Sequence, residues 1–377
     1  MRMKATLLAM MLVSAAMACT PNGTKGNDTT AQPVDETAQN DTTSADNARV
    51  SLPTTKTITI AMTGDIMMGT TFPKVQLPAN EGRDLFSDTR EITRRADIAV
   101  GNLEGAVCDG GRSTKGNGPN SYAFRMSTSY APLLKDAGYD YLSLANNHAR
   151  DFGDEGIASS ERVLTEQGIA FSGIKGHKEW AVVELDGVRY GLCAFGHNSY
   201  TLRHSDLDKV KQILDELNQQ ADIIIVSFHG GAEGRTKNHL PYGPETFLGE
   251  NRGDLRRFAH FCIDNGADVV YGHGPHVVRA MEVYKDRFIA YSLGNFCTPY
   301  GISLTGISGF SPVVEIQVGG DGSFKQGQIH SFIQTKGVGP RHDPQGSVAR
   351  EIKQLTEADI QSSPIRISDT GEITINR

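Results

Sequence analysis

Residues 57 to 65 read TITIAMTGD, a β-branched and apolar run that closes on Gly64-Asp65. Four further runs share this form: ADIAVGNLE (96–104), YDYLSLANNH (139–148), ADIIIVSFHG (221–230) and ADVVYGHGPH (267–276). Each is short, almost continuously apolar, and ends on Gly, Asn, Asp, Glu or His, as a strand buried on both faces does. Between them lie helical patterns: GIASSERVLTEQ (156–167), LDKVKQILDELNQQ (207–220) and GDLRRFAHFCIDN (253–265). Strands alternating with helices indicate βαβ units, with helices covering both sheet faces. Asp186-Gly187 and Lys285-Asp286 each split two apolar runs and predict hairpins. The expected fold is a layered α/β sandwich with some antiparallel strands.

The core domain is expected over 55–320, followed by a C-terminal β/α extension over 321–377 packed on the same domain. That extension contains strand patterns around VVEIQV (313–318) and KQGQIHSFI (325–333), a helix near 349–358 and a hairpin at RISDTGEITI (366–375). Neither GxGxxG nor GxxxxGK occurs, so no phosphate-cradling glycine loop is expected.

The chain has 377 residues and a formal net charge of -7, a balance that excludes a basic nucleic-acid footprint. Residues 1–19, MRMKATLLAMMLVSAAMAC, place Arg2 and Lys4 before an apolar run too short to span a bilayer. The layout is that of an export signal. Ending on Ala-Met-Ala-Cys, it resembles a bacterial lipoprotein signal, which implies a lipid anchor on Cys19 and a location in the cell envelope. Residues 20–54 lack aromatic residues and almost all large aliphatic ones, so they form a disordered tether. The other cysteines, Cys108, Cys193, Cys262 and Cys297, form no CxxC pair, and neither a zinc-thiolate site nor a structural disulfide is expected.

The chemistry gathers at the strand ends. Asp65 follows the first run, Asn102 and Glu104 the second, Asn147 and His148 the third, His229 the fourth, and His273 with His276 the fifth. In an α/β sheet the carboxyl ends of the strands converge on one crevice, so residues distant in sequence meet there. A shell of carboxylate, amide oxygen and imidazole suits divalent zinc, manganese or iron(II), as one or two ions. Arg252 and Arg256 are read as a solvated helix face and left outside the site, and Trp180 as core.

The series GDIMMG (64–69), GNLEG (101–105), LANNHARDFG (144–153), HGGAEG (229–234), IDNGADVVYGHGPHV (263–277) and IAYSLGNF (289–296) resembles the CapA family, proteins of bacterial capsule and poly-gamma-glutamate synthesis. The resemblance implies a calcineurin-like metallophosphatase fold, a four-layer α/β/β/α sandwich with mixed sheets. It implies metal ligation by Asp65, Glu104, Asn147, His229, His273 and His276, with His148 facing the scissile bond and Asp151 orienting it. Asn102, Glu233 and Asn295 are expected to contact substrate. Two departures stand out: Met67 replaces a histidine of the superfamily's Asp-x-His, and Asn102-Leu103-Glu104 replaces its bridging Gly-Asp. The function implied is an exported, metal-dependent hydrolase acting on a phosphoester or an anionic cell-envelope polymer. A non-catalytic accessory that binds capsule polymer or its assembly machinery is the alternative.

Overall fold

The computed structural model describes residues 52–116 and 121–376. Cys19, the export segment and residues 20–51 of the tether lie outside the described residues.

Fifteen strands build two mixed sheets. In chain order they are β1 (Thr57–Ile66), β2 (Ile98–Leu103), β3 (Tyr141–Ser143), β4 (Ala170–Ser172), β5 (Trp180–Leu185), β6 (Val188–Phe195), β7 (Ile223–His229), β8 (Val269–His273), β9 (Met281–Tyr284), β10 (Arg287–Ala290), β11 (Asn295–Cys297), β12 (Val313–Gly319), β13 (Phe324–His330), β14 (Ile365–Ile367) and β15 (Glu372–Ile375). The first sheet runs β14-β15-β13-β12-β1-β2-β3-β4, with β11 also beside β1. The second runs β9-β10-β8-β7-β6-β5. β1 to β4 are parallel, as are β6, β7, β8 and β10, whereas both predicted hairpins, β5-β6 and β9-β10, are antiparallel.

Alternation along the strands explains the layering. Ile60 and Met62 of β1, Ile98 and Val100 of β2 and Tyr141 of β3 point into a core shared with the second sheet. Their neighbours Ala61, Ala99 and Leu142 point the other way, into a cluster with Leu134, Val163 and Leu164. Those last three belong to α2 (Ala131–Asp136) and α3 (Gly153–Glu166), which with α1 (Arg90–Arg95) cover the first sheet. On the far side, α4 (Leu207–Asn218) buries Val210, Ile213, Leu214 and Leu217, one helical stripe, against the second sheet. Each such side chain contributes about 1.5–3 kcal/mol of burial. The α5 helix (Leu255–Asp264) does the same with Leu255, Phe258, Ala259 and Cys262. Four layers result, α/β/β/α, as the strand pattern and the resemblance implied.

The tail continues the first sheet. β13 pairs along β12, so residue 320 falls inside a hairpin of that sheet, and α6 (Ser347–Asp359) sinks Val348, Ala349, Ile352 and Leu355 into the shared core. Cys108, Cys193, Cys262 and Cys297 are buried free thiols.

Two expectations need correction. Arg252 is not on a helix: α5 starts at Leu255, where Asp254 accepts the Arg257 N–H at 3.1 Å as an N-cap. Arg252 lies in an extended segment, 3% exposed, and pairs with Glu233 at 2.8 Å and Glu250 at 3.0 Å. Nor is Arg256 a solvated group, since it is half-buried over the Tyr242 ring. Trp180 is only half-buried, because its Nε1 donates to Glu216 at the edge of the core.

Candidate metal centre

The centre is built by a change of partner in β1. Through Thr63 that strand pairs with β12; at Asp65 and Ile66 it pairs with β11 instead, and its register with β2 slips between Met62 and Asp65. Such an irregularity re-aims a side chain. Gly64 permits it, because a Cβ there would lie 2.0 Å from the Gly294 carbonyl oxygen. Asp65 is thereby set at a fully buried position flanked by Asn102 and Asn295.

Around Asp65 three of the other predicted ligands, Glu104, His273 and His276, come together. Its Oδ2 lies 3.0 Å from His276 Nδ1 and its Oδ1 3.5 Å from His273 Nδ1, while His276 Nε2 lies 3.7 Å from Glu104 Oε1. Asp65, Glu104 and His276 offer ligand atoms that all fall within 4.8 Å of one another. His229 and His273 end the adjacent parallel strands β7 and β8 in register, side by side. His276 is held at a positive φ of 58°, a conformation that non-glycine residues adopt mainly where the surroundings impose it.

Many polar atoms here have no protein partner. Among the described residues, both oxygens of Glu104, both nitrogens of His229 and of His273, and Oδ1 of Asn147 are buried without a hydrogen bond. Burial and the Asp65 charge push the Glu104 carboxyl well up. Burial drives His229 well below its usual range and His273 down to about 4. Burial also opposes a charge on His276, but the Glu104 and Asp65 carboxylates outweigh it and raise that ring to about 10. For Asp65 the raising effect of burial is overcome by His276, which holds the carboxyl below its ordinary value. The neutral imidazoles of His229 and His273 and the unpartnered Glu104 carboxyl are what a divalent cation satisfies, and His276 would give up its proton to bind one. The residues present fit such an ion.

Beside this cluster stands an oriented imidazole. His148 Nδ1 lies 2.8 Å from Asp151 Oδ2, and the carboxylate, which can only accept, places the proton on Nδ1. The Phe124 ring lies tilted against the imidazole, with centroids 4.2 Å apart, and the Phe124 N–H donates to Asp151 Oδ2 at 2.7 Å. Burial lowers the His148 pKa, with Asp151 opposing.

The expected substrate contacts separate. Asn102 is fully buried and both ends of its amide are engaged: Nδ2 donates to Asp65 Oδ1 at 2.9 Å, and Oδ1 accepts from Asn146 at 3.1 Å. Asn102 thus holds the Asp65 carboxylate in place. Asn295 is also buried, donating to the His276 and Ser308 carbonyls, with its Oδ1 unpartnered. Glu233 is half-buried and tied to Arg252.

Four residues were missed by the sequence reading. Asn146 bonds Asn102, the Leu103 carbonyl and the His148 N–H. Lys115 lies 3.3 Å from Asp151 and donates to the Asn147 carbonyl at 2.9 Å. Arg252 holds Glu233. His197 stacks on His229 at 6.0 Å and reaches its carbonyl from Nδ1 at 3.4 Å. His197 was recoverable, since it follows β6 just as His229 ends β7, but reading β6 as half of a hairpin hid its parallel partner.

A model of the family described as bacterial capsule synthesis protein PGA_cap matches residues 59–300, the span that carries every predicted ligand. The chain belongs to that family. Among curated relatives, the PGA biosynthesis protein CapA of Bacillus subtilis (strain 168) is 26% identical over 277 residues, covering 69% of this chain and 68% of that one. The capsule biosynthesis protein CapA of Bacillus anthracis is 27% identical over 267 residues, covering 66% and 61%. Similar solved structures include a hypothetical protein from Thermus thermophilus (TM-score 0.47, 18% identity, 74% of this chain and 100% of that one). The calcineurin-like phosphoesterase YfkN of Bacillus subtilis is another (TM-score 0.41, 13% identity, 81% and 98%). The family expected from the motifs is thus the one found, and Met67, the departure at the ligand position, is fully buried in the apolar cluster beneath the first sheet.

Proposed function

We propose that this PGA_cap family member is a divalent-metal-dependent hydrolase of the cell envelope, cleaving a phosphoester or another bond of an anionic envelope polymer. The observation that supports it is the set of buried, unpartnered ligand atoms around Asp65 beside an imidazole whose tautomer is dictated by Asp151. Asp65, Glu104, Asn147, His229, His273 and His276 would hold the ion or ions. A divalent cation in such a shell supplies Lewis-acid stabilisation of charge developing on oxygen. Asn102 and Asn146 keep Asp65 from rotating, which preserves the shell before substrate arrives. His148, with its proton on Nδ1, presents Nε2 to take up and return a proton, and Asp151 stabilises the ring while it is charged. Lys115 adds a positive charge beside that pair. Export, with anchoring through Cys19, brings the site to the polymer.

The test is metal content by elemental analysis after loading with manganese, zinc or iron(II), with turnover of a generic phosphoester, in wild type and in Asp65→Ala and His148→Ala. The wild type should retain stoichiometric metal and turn over; Asp65→Ala should lose both, and His148→Ala only turnover. Absence of retained metal in the wild type ends this reading. The buried Met67, which leaves an apolar side chain where a histidine ligand is expected, favours a second reading: a metal-holding accessory that binds polymer without cleaving it. Stoichiometric metal with no turnover across a broad substrate screen selects the second. Replacing Cys19 by Ser should move the protein from the membrane fraction to the soluble one; unchanged retention would refute the anchor.

A further inference from the structure

Asn146 is fully buried just past β3 and is bonded toward both the metal cluster and the His148 turn. Its Nδ2 donates to Asn102 Oδ1 at 3.1 Å and to the Leu103 carbonyl at 2.9 Å, and its Oδ1 accepts the His148 N–H at 3.0 Å. Its own carbonyl accepts the Tyr200 hydroxyl at 3.0 Å, from the loop that follows β6 in the second sheet. We propose that Asn146 is a positioning residue that fixes the metal shell and the acid–base loop to each other, by setting which way the Asn102 amide faces Asp65 and by closing the turn that carries His148. This role rests on the hydrolase reading only in calling His148 the acid–base group.

Main-chain groups of fixed polarity decide how the amides point. The Leu103 carbonyl can only accept and the His148 N–H can only donate, so Asn146 must turn Nδ2 toward β2 and Oδ1 toward His148. The second Nδ2 proton then falls on Asn102, which must meet it with Oδ1 and is left with Nδ2 facing Asp65 Oδ1 at 2.9 Å. Three hydrogen bonds thus run one way, from the His148 N–H through Asn146 and Asn102 to Asp65. Bonds aligned in this way strengthen one another, and each group is buried, so losing one link leaves its neighbours unsatisfied.

The consequence for the centre is geometric. With Oδ1 of Asp65 held by Asn102, Oδ2 is the oxygen turned to His276, 3.0 Å away. At the other end, Asp151 holds the His148 ring through Nδ1 while Asn146 holds the backbone of the same residue. Ring and backbone together determine where Nε2 stands relative to Asp65, which a side-chain contact alone does not.

Asn146→Asp separates the two ends. It keeps an acceptor for the His148 N–H and loses both donors, so Asn102 has to turn its amide and present Oδ1 to Asp65. Asn146→Ser makes the same separation without a buried charge, because a serine hydroxyl also accepts from the N–H two residues on, whereas Asn146→Ala breaks both ends. Manganese(II) affinity of the full chain, read by electron paramagnetic resonance of the free ion, should fall about 10–100-fold in all three variants. A side chain that only filled space would give the opposite order, with the near-isosteric Asn146→Asp binding the cation as well as the wild type or better. In the metal-free protein, hydrogen exchange of the His148 N–H should stay slow in Asn146→Asp and Asn146→Ser and quicken about tenfold or more in Asn146→Ala. In urea, the losses in the folding equilibrium constant from Asn102→Ala and Asn146→Ala should fall short of multiplying by about fivefold when combined. A wild type that binds no manganese removes the hydrolase reading, and the exchange and urea results then decide the role of Asn146 alone. Manganese affinity within about threefold of a binding wild type in Asn146→Asp or Asn146→Ser, unchanged His148 exchange in Asn146→Ala, or independent effects in the double variant would each overturn the proposal.

Discussion

Asp151→Asn isolates the negative charge behind His148 from every other property of the centre. The substitution is nearly isosteric, and Asp151 Oδ2 accepts two hydrogen bonds, from the Phe124 N–H at 2.7 Å and from His148 Nδ1 at 2.8 Å. An asparagine carbonyl oxygen in that position has two lone pairs and accepts both, so its NH2 takes the place of Oδ1, 3.3 Å from Lys115. The His148 proton therefore stays on Nδ1, and what is lost is the charge that stabilises the ring while it carries a second proton. Without that charge the contribution of the acid-base group, about 10²–10⁴-fold in turnover, is largely lost, and exchanging charge-assisted for neutral hydrogen bonds costs about 1 kcal/mol of stability. The Asp151 charge also favours the charged ring against burial, so without it the His148 pKa falls further and the acidic limb of the pH profile moves to lower pH. Nitrogen-15 NMR of the histidine rings reads the tautomer without reference to turnover. Metal content should be unchanged, since none of the ligands moves. Turnover within about threefold of wild type, or a His148 proton moved to Nε2, would refute the reasoning.

Loading with manganese, zinc or iron(II) at about a hundred times Kd should raise Tm by about 5 °C, from a stabilisation of about 2.7 kcal/mol, and Glu104→Gln should remove most of that rise in a thermal melt. Arg279 is fully buried against Glu245, with N–O distances of 2.7 and 2.8 Å, so Arg279→Met should cost about 3–5 kcal/mol in denaturant unfolding. Adding Glu245→Leu to it should recover part of the loss, because the uncompensated charge goes. Gly274→Ala should cost at least about 2 kcal/mol and abolish metal retention: φ is +116°, a Cβ would meet the Gly230 oxygen at 2.4 Å, and His273 and His276 flank the position.

The layered fold was legible because the physics that builds it is local. An apolar run of strand length followed by a helical stripe can be covered only by a sandwich of helices on sheets, and Val210, Ile213, Leu214 and Leu217 announce their buried stripe by spacing alone. The boundary of α5 was less legible, because Arg252 and Arg256 stand four apart, the spacing of one helix face. Asp254, an N-cap residue directly before Leu255, was the signal that should have stopped the helix and returned Arg252 to extended chain.

The site was legible to the extent that strand ends converge. Asp65, His229 and His273 could be grouped from the sequence because parallel strands present the same end to one crevice. Their supports could not, because which amide faces a ligand and which faces a neighbour depends on register. Asn102 supports Asp65 only because β1 slips against β2 between Met62 and Asp65, and no composition or period records a slip. The partnerlessness of Glu104 is likewise a fact of three dimensions: its sequence neighbours Leu103 and Gly105 say nothing of whether a donor reaches it. As an anion this buried carboxyl is costly, which is why burial pushes its pKa up, and a bound cation would restore the charged form. The side chain beside it, His276, lies 3.7 Å from Glu104 through Nε2 and 3.0 Å from Asp65 through Nδ1, so one ring lies between two carboxyl groups. That geometry, more than the motif, argues for a cation.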